Sequence, residues 1–394
     1  MRKLLILPVF LTLTLVLSSC AQIAEGRVDI DRLFITRIFS LDDTQEGKVL
    51  LTLTTKDLSM GGGGQQPQQK GASVVSEGDT VFDAARNLII YSDRRPHYGH
   101  TEYIIFGEPI ARKGIKPYLD FVSRQSEFRY NAKLYIVKGG TANSMVKKTN
   151  TTKMFIGDRL SNLEDNLGLT SLASMVTLNE ALMILDQTNL GVFIPYLEVA
   201  ETMSAEEQDK YDILLRGYAI FRGDKLLYFT SMKEARGINW MMDRVKSGII
   251  IVKNKLGEEI SLEITDNKVK IKPVIQGSEM QCIVDISFTT NISEILGIKG
   301  NLDKESIKQL IDLQNKAIKE EVEYAINMGQ NNNSDHFSTV SKFIIEYPML
   351  KGYFLENWSK LFPDIKFEVR VQSNIKGTYM INEPSGRTED VEGE

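Results

Sequence analysis

The two cysteines of this 394-residue chain lie in sequence surroundings that predict different chemistry for each. A cysteine thiolate can attack a carbon centre, bind a metal or accept a lipid, and its surroundings decide which. Cys20 follows two serines at the end of an apolar N-terminal stretch. Cys282 lies where apolar and polar residues alternate, a pattern typical of a half-buried strand. We therefore expect Cys20 to be modified and Cys282 to be a core residue rather than a nucleophile.

The first 20 residues have the organisation of a secretory signal peptide. A basic pair precedes the apolar stretch 4–17. As a helix that stretch would reach only about 21 Å, less than the roughly 30 Å of a bilayer core. Residues 17–20, Leu-Ser-Ser-Cys, resemble the bacterial lipobox, in which the thiol receives a diacylglyceryl group and cleavage precedes the cysteine. We predict a signal peptide at 1–19 and lipidation of Cys20; the alternative is an ordinary secretory signal with a chance cysteine.

Other candidate sites have simpler structural interpretations. His97 and His100 lie near Glu102, but proline and glycine interrupt this segment, so it cannot be a metal-binding helix and is expected to turn into a buried strand. The glycines at 61–64 lack the lysine of a phosphate-binding loop, and Arg-Gly-Asp at 222–224 is typical of a hairpin turn. No Gly-x-Ser-x-Gly or His-Glu-x-x-His motif is present. We predict no catalytic site, no metal and no cofactor.

Composition indicates a globular protein of two or three domains. The hydrophobic fraction is 42% and the charged fraction 25%, which is ordinary for a folded protein. The formal net charge of −5 argues against a nucleic-acid-binding protein, which would normally carry an excess of basic residues. With two cysteines the chain cannot form a disulfide framework.

The pattern of elements predicts a multi-domain α+β protein with antiparallel mixed sheets packed with helices. We expect a linker at 203–209, and hence domains at 20–205 and 206–382. The second domain is alternatively predicted to consist of two subdomains that divide near 275–300. The stretch 61–69 is expected to form a surface loop, and 383–394 a flexible tail.

The second half has the clearest element signals. Ser231 and Glu234 form a predicted capping box that opens a helix. An amphipathic helix is predicted to begin near Asp303 and to end at Gly329. Four closely spaced strands favour an antiparallel meander, and they are predicted at 248–253, 260–265, 268–274 and 280–289. A final half-buried strand is predicted at 365–371.

The order of several motifs resembles the Ger(x)C family, the lipoprotein C subunits of bacterial spore germinant receptors. The matching segments span nearly the whole mature chain: the lipobox ending at Cys20; 94–100 with 104–108, 114–115 and 119–121; 217–226 with 234–237; and 347–348 with 357–358 and 362–364. Two features depart from the family pattern. Ala21 and Gln22 stand where family members often have Trp-Asp, and 61–69 resembles a variable insertion.

The resemblance implies a role in nutrient-triggered germination. The C subunit would act with integral-membrane A and B subunits at the outer face of the spore inner membrane, and the family is not regarded as enzymatic. Family members are also multi-domain α+β proteins. The only functional residue that the resemblance carries over is Cys20, as the lipidation site.

Two other functions are alternatives to this one. A lipid-anchored solute-binding protein of a transporter would need two lobes of alternating strands and helices, which the close strands at 248–289 oppose. A surface hydrolase would need a recognisable catalytic pair. With 52 carboxylates, pairs on one face are expected by chance and indicate little.

Overall fold

The computed structural model describes residues 29–56, 71–149, 154–186, 191–201, 211–255, 257–296 and 304–378. Several predicted features lie outside the described residues: Cys20 with the signal peptide, the stretch 61–69, the linker 203–209 and the tail 383–394. Within the described residues, no helix is both long and apolar enough to cross a membrane.

The N-terminal half is built on an eight-stranded mixed sheet. Its strand order is β10-β9-β8-β7-β6-β2-β3-β4, and β2, β6, β7 and β8 run parallel to their neighbours at its centre. Its strands are β2 Ile38–Asp43, β3 Val49–Lys56, β4 Gly71–Gly78, β6 Tyr103–Gly107, β7 Lys133–Lys138, β8 Phe193–Glu201, β9 Tyr211–Arg222 and β10 Lys225–Phe229. Two short strands, β1 Leu33–Ile35 and β5 Arg95–His97, pair separately.

Helices cover both faces of this sheet because its central strands are apolar on both sides. All five residues of β6 are buried, as expected of a strand in a parallel arrangement. The crossovers are made by α1 Val81–Tyr91, α2 Glu108–Lys113, α3 Lys116–Arg124, α4 Ala142–Thr149, α5 Ile156–Thr170 and α6 Leu178–Leu185. Asp79 and Thr80 precede apolar residues at 81, 82, 85, 88 and 89, a sequence pattern that predicts a capped helix. Helix α1 confirms this prediction, and the Thr80 hydroxyl accepts from the amide of Asp83.

The sheet continues past the predicted domain boundary between residues 205 and 206. Strands β8 and β9 are antiparallel partners on either side of it, and β9 pairs in turn with β10. The first sheet therefore includes residues up to Phe229. The hairpin that closes it turns at Gly223, which has φ of +59°, as its Arg-Gly-Asp sequence predicted.

The C-terminal half is a four-stranded sheet covered by helices. Its order is β11-β12-β13-β14, with β11 Ile249–Lys253, β12 Glu259–Gln276, β13 Glu279–Leu296 and β14 Lys366–Thr378. The first three strands form the predicted antiparallel meander, whereas β14 is parallel to β13. The two strands predicted at 260–265 and 268–274 are one long strand, interrupted by a register shift between Ile264 and Asp266. Strands β12 and β13 also pair with each other on either side of residues 277–278, within the range 275–300 where this half was alternatively predicted to divide into two subdomains.

Four helices complete this half: α7 Met232–Met241, α8 Lys304–Asn331, α9 Thr339–Glu346 and α10 Lys351–Leu361. The prediction that Gly329 ends the long helix is wrong, because α8 continues to Asn331. A Cβ atom at Gly329 would lie 3.1 Å from the Phe337 ring and 3.2 Å from the Ser334 carbonyl oxygen. This glycine therefore allows close packing, not termination.

A continuous apolar core joins the two sheets. It extends from Phe39 in the first sheet through Trp240 of α7 to Cys282 and Trp358 in the C-terminal half. A second, smaller cluster fills the opposite face of the first sheet, beneath α4 and α5. The fold is thus multi-domain α+β, with the two halves packed on shared apolar side chains.

Candidate functional site

The structure places Cys282 in the core, as its sequence pattern predicted. The side chain is fully buried, and burial raises the pKa of its thiol to about 12, with the Asp335 carboxylate adding to the rise. The thiolate, which is the reactive form, is therefore suppressed at neutral pH.

The Asp335 carboxylate accepts hydrogen bonds from groups within the C-terminal half. It accepts from the amides of Thr339 and Val340 at the start of α9, and from the indole of Trp358 at 2.9 Å. The neighbouring His336 is fully buried, and burial lowers its pKa to about 3. These groups act as structural elements of the C-terminal core.

The segment containing His97 and His100 forms a short strand and a turn, as predicted, ahead of the buried strand β6. Glu127 organises this turn by accepting from the Tyr98 amide at 2.8 Å and lying 3.1 Å from Nδ1 of His97. The two imidazole rings are 5.8 Å apart. Among the described residues, no group of three or more His, Cys, Asp or Glu side chains is arranged to hold a metal ion.

His100 lines a polar cleft of about 310 Å³. The cleft lies where β2, β6 and β7 begin, so side chains just before or at the starts of three parallel strands meet there. Its lining residues are Arg37, His100, Thr101, Glu102, Tyr103, Arg129, Asn131, Lys133 and Ser161. Its cations Arg37, Arg129 and Lys133 carry no signal in the sequence, because they are separated along the chain and belong to no motif.

Ion pairs fix two of the three cations in this cleft. The Arg37 guanidinium lies 2.5 Å from Glu102 and 3.2 Å from Asp158, which also binds Lys56. Lys133 pairs with the buried Glu164. Among the described residues Arg129 has no ion pair, and its side chain is exposed at the cleft.

Two tyrosines support Glu164 from behind the cleft. The Tyr135 hydroxyl donates to Glu164 at 2.5 Å, and Tyr103 lies 3.4 Å from the same carboxylate. Burial raises the pKa of both phenols, and the negative charge of Glu164 raises them further. Both tyrosines therefore remain neutral hydrogen-bond donors that hold the carboxylate toward Lys133.

A smaller cavity of about 220 Å³ lies where the two halves meet. Phe193 from the first sheet and Met242, just after α7, contribute to its mainly apolar lining. Arg244 stacks 5.4 Å above the Phe193 ring and pairs with Glu180.

Comparison with known proteins identifies the two halves of the chain. The model of the spore germination protein N-terminal domain matches residues 26–199. The model described as spore germination B3/GerAC like, C-terminal, matches residues 216–379. The chain belongs to the Ger(x)C family.

Relatives and a solved structure agree with this membership. The chain is 22% identical to spore germination protein B3 of Bacillus subtilis (strain 168), over 88% of this chain and 91% of that protein. It is 24% identical to spore germination protein YndF of the same organism, over 80% of this chain and 77% of that protein. The crystal structure of the GerBC protein shares the fold, with a TM-score of 0.53 and 19% identity, over 86% of this chain and 96% of that one.

The segments that carried the Ger(x)C resemblance have structural roles at two places. Residues 94–100 lead into β6, and His100 at the end of this segment lines the polar cleft. In the C-terminal half, the Tyr347 hydroxyl accepts from the Ile275 amide. Trp358 is fully buried, and its indole donates to the Asp335 carboxylate. Tyr347 thus links the end of α9 to β12, and Trp358 links α10 to the segment that opens α9.

Proposed function

We propose that this chain is a lipid-anchored, non-catalytic C subunit of a nutrient germinant receptor. It would act in spore germination by assembling with integral-membrane A and B subunits at the outer face of the spore inner membrane. The observation that carries the proposal is the match of both family domains, in order, over residues 26–199 and 216–379.

The anchor is proposed from the residues before the folded body. Cys20 follows a leucine and two small residues at the end of the signal-like stretch. Two acyl chains from a diacylglyceryl group meet the requirement of two signals for stable membrane attachment. Confinement to the membrane raises the effective concentration of the subunit near membrane partners, which favours assembly without any new contact.

A non-catalytic role agrees with the state of the nucleophile and base candidates. The Cys282 thiol is buried with a raised pKa, and His336 is buried with a lowered one. The proposed mechanism is therefore binding and assembly.

Replacing the lipid acceptor tests the proposal. Cys20→Ala is expected to move the protein from the membrane to the soluble fraction, to abolish its co-purification with the A and B subunits, and to slow nutrient germination. The matched control is Ser19→Ala, which keeps a small residue before the cysteine and should preserve all three. Normal germination of Cys20→Ala spores would contradict the functional role of the anchor. Failure of the membrane-bound wild-type chain to co-purify with A and B would contradict the assembly.

A further inference from the structure

We propose that the outer side of helix α1 contacts the surface of the bilayer to which the chain is anchored. Its occupant is phospholipid, and the apolar side chains of the helix enter the boundary between headgroups and acyl chains. The inference deepens the proposed function and depends on its lipid anchor at Cys20. It adds a second membrane contact, which would fix the orientation of the N-terminal half.

Helix α1 is apolar on two sides, and the first sheet covers only one of them. Its inner side packs on the sheet through the buried residues Val81, Ala84, Ala85 and Leu88. Helical periodicity places Phe82, Ile89 and Ile90 together on the outer side, where they are 55%, 51% and 74% exposed. A helix that is apolar all round is ordinarily buried all round, so this exposure indicates a further contact.

The other exposed residues of α1 suit a membrane interface. Arg86 lies on the same outer side, with its guanidinium 5.1 Å from the centre of the Phe82 ring. A long basic side chain can place its stem along apolar surface and its charged group among lipid phosphates. Tyr91, at the end of the helix, is 75% exposed, and tyrosine favours the headgroup region because its ring is apolar and its hydroxyl polar.

The anchored end of the chain enters the folded body beside this helix. Strands β1 and β5 are a parallel pair, so residues 30–32 and residues 92–94, which precede them, lie at the same end of that pair. Residues 92–94 directly follow Tyr91 of α1, and Ile30 adds another exposed apolar side chain at this end. The outer side of α1 and the entry of the tether therefore belong to one region of the surface.

The short tether keeps this region close to the bilayer. Asp29, the first described residue, is nine positions after Cys20. Even a fully extended chain of that length spans only about 30 Å, roughly the diameter of a small domain. An apolar surface beside the tether's entry is therefore the surface best placed to meet the lipid.

Charge contributes little to this contact. At the C-terminal end of α1 the exposed Arg94 and Arg95 are accompanied by the exposed Asp31 and Asp93, so the charges offset each other. Apolar insertion must therefore supply most of the attraction, and the contact should form on lipid without net charge.

Tryptophan quenching by brominated phosphatidylcholine tests the contact in the full-length lipidated chain, reconstituted in phosphatidylcholine vesicles. Ile90→Trp places a reporter on the outer side of α1. The matched control is Leu169→Trp, because Leu169 is 64% exposed on α5, a helix that covers the opposite face of the first sheet. Trp240 and Trp358 are fully buried, so subtracting the wild-type signal isolates each new tryptophan.

Bromine atoms on the upper acyl chains should lower the emission of Ile90→Trp about twofold, because interfacial helices bury their apolar side in that region. The emission of Leu169→Trp should not change. Adding Ile89→Glu to the Ile90→Trp chain should remove the quenching while the chain stays on the vesicles through Cys20. Adding Leu169→Glu instead should leave the quenching intact, and circular dichroism should show the wild-type fold for both chains, because both positions are exposed.

An unquenched Ile90→Trp in a vesicle-bound chain would overturn the proposal. If its emission were also shifted to shorter wavelength than that of Leu169→Trp, protein from a second copy would cover this surface instead of lipid. Quenching that survives Ile89→Glu would likewise overturn the assignment to the apolar side of α1. A wild-type chain that leaves the vesicles would overturn both the anchor and the contact that depends on it, so the two failures are distinguishable.

Discussion

Asp42 shows how one buried carboxylate can organise a helix from a distant part of the chain. Its two oxygens accept from the amides of Ala142 and Asn143 at the start of α4, each at 2.8 Å. Gly107 leaves the space for this contact, because a Cβ atom there would collide with the carboxylate. Burial raises the pKa of Asp42 to about 6, although the two amide hydrogen bonds oppose the rise.

This raised pKa predicts a specific pH dependence of stability. The folded chain holds the Asp42 proton more tightly than the unfolded chain, so the free energy of unfolding should fall as pH rises from about 4 to about 6. A shift of about two pKa units corresponds to about 3 kcal/mol. In Asp42→Asn the part of this fall in the free energy of unfolding that is due to Asp42 should disappear. Urea unfolding of wild type and variant at pH 4 and pH 7 measures it.

A second substitution controls for the general effect of removing a carboxylate. Asp93→Asn changes an exposed aspartate outside the sheet. If its pH profile changed as much as that of Asp42→Asn, or if Asp42→Asn kept the full wild-type decline, the assignment to the buried carboxylate would be wrong.

At the scale of elements, the crossing of α7 and α8 depends on a glycine. A Cβ atom on Gly237 would lie 2.8 Å from Cβ of Ala325 and closer still to the carbonyl oxygen of Glu321. Near this crossing, Arg236 forms a charge-assisted pair with Glu321 through its Nε and Nη2 atoms. The two helices therefore approach more closely at Gly237 than any side chain would permit.

Alanine substitutions at two helical glycines should have opposite effects. Alanine gains about 1 kcal/mol over glycine in a helix, but at Gly237 the collision with the α8 backbone should outweigh this gain. We expect Gly237→Ala to lower the free energy of unfolding by about 2 kcal/mol. Gly352→Ala in α10, where nothing lies within 4 Å, should raise it by about 0.5–1 kcal/mol. Urea unfolding curves measure both, and equal effects would contradict the packing argument.

At the scale of the whole molecule, a buried polar network connects the two halves. The Asn239 side chain in α7 accepts from the Tyr218 hydroxyl of β9 at 2.6 Å and donates to the Ser171 carbonyl at 2.7 Å. The Tyr218 hydroxyl also lies 2.8 Å from that of Ser174. Because the apolar core is continuous around this network, we expect the halves to unfold together.

Asn239→Leu tests this coupling. The substitution removes one of the two partners of the Tyr218 hydroxyl and the amide donor of the buried Ser171 carbonyl, so stability should fall by about 2–4 kcal/mol. The control Asn166→Leu, at an exposed position of α5, should change it by less than about 0.5 kcal/mol. Both tryptophans lie in the C-terminal half, so their fluorescence reports on that half while circular dichroism reports on the whole chain. Separate transitions in wild type would contradict cooperative unfolding.

Local patterns in the sequence predicted most of the individual elements correctly. The capped helix after Thr80, the hairpin around Gly223 and the alternating strand that became β14 depend on neighbouring residues alone. Ser231 likewise caps α7 by accepting from the Glu234 amide. The Glu234 carboxylate, however, accepts from the Tyr228 hydroxyl of β10. The predicted capping box is therefore only half formed, because this contact with a strand engages the Glu234 side chain.

The sequence by itself thus determined the α+β class, the family and the prediction of a lipid anchor at Cys20, because periodicity, capping and short motifs are local properties. Only the tertiary structure decided the parallel centre of the first sheet, the parallel pairing of β14 and the sheet's passage beyond residue 205. It alone assembled the cleft, whose Arg37, Glu102 and Arg129 are far apart along the chain. Strand order and long-range proximity arise from the packing of distant segments, which short sequence patterns do not specify.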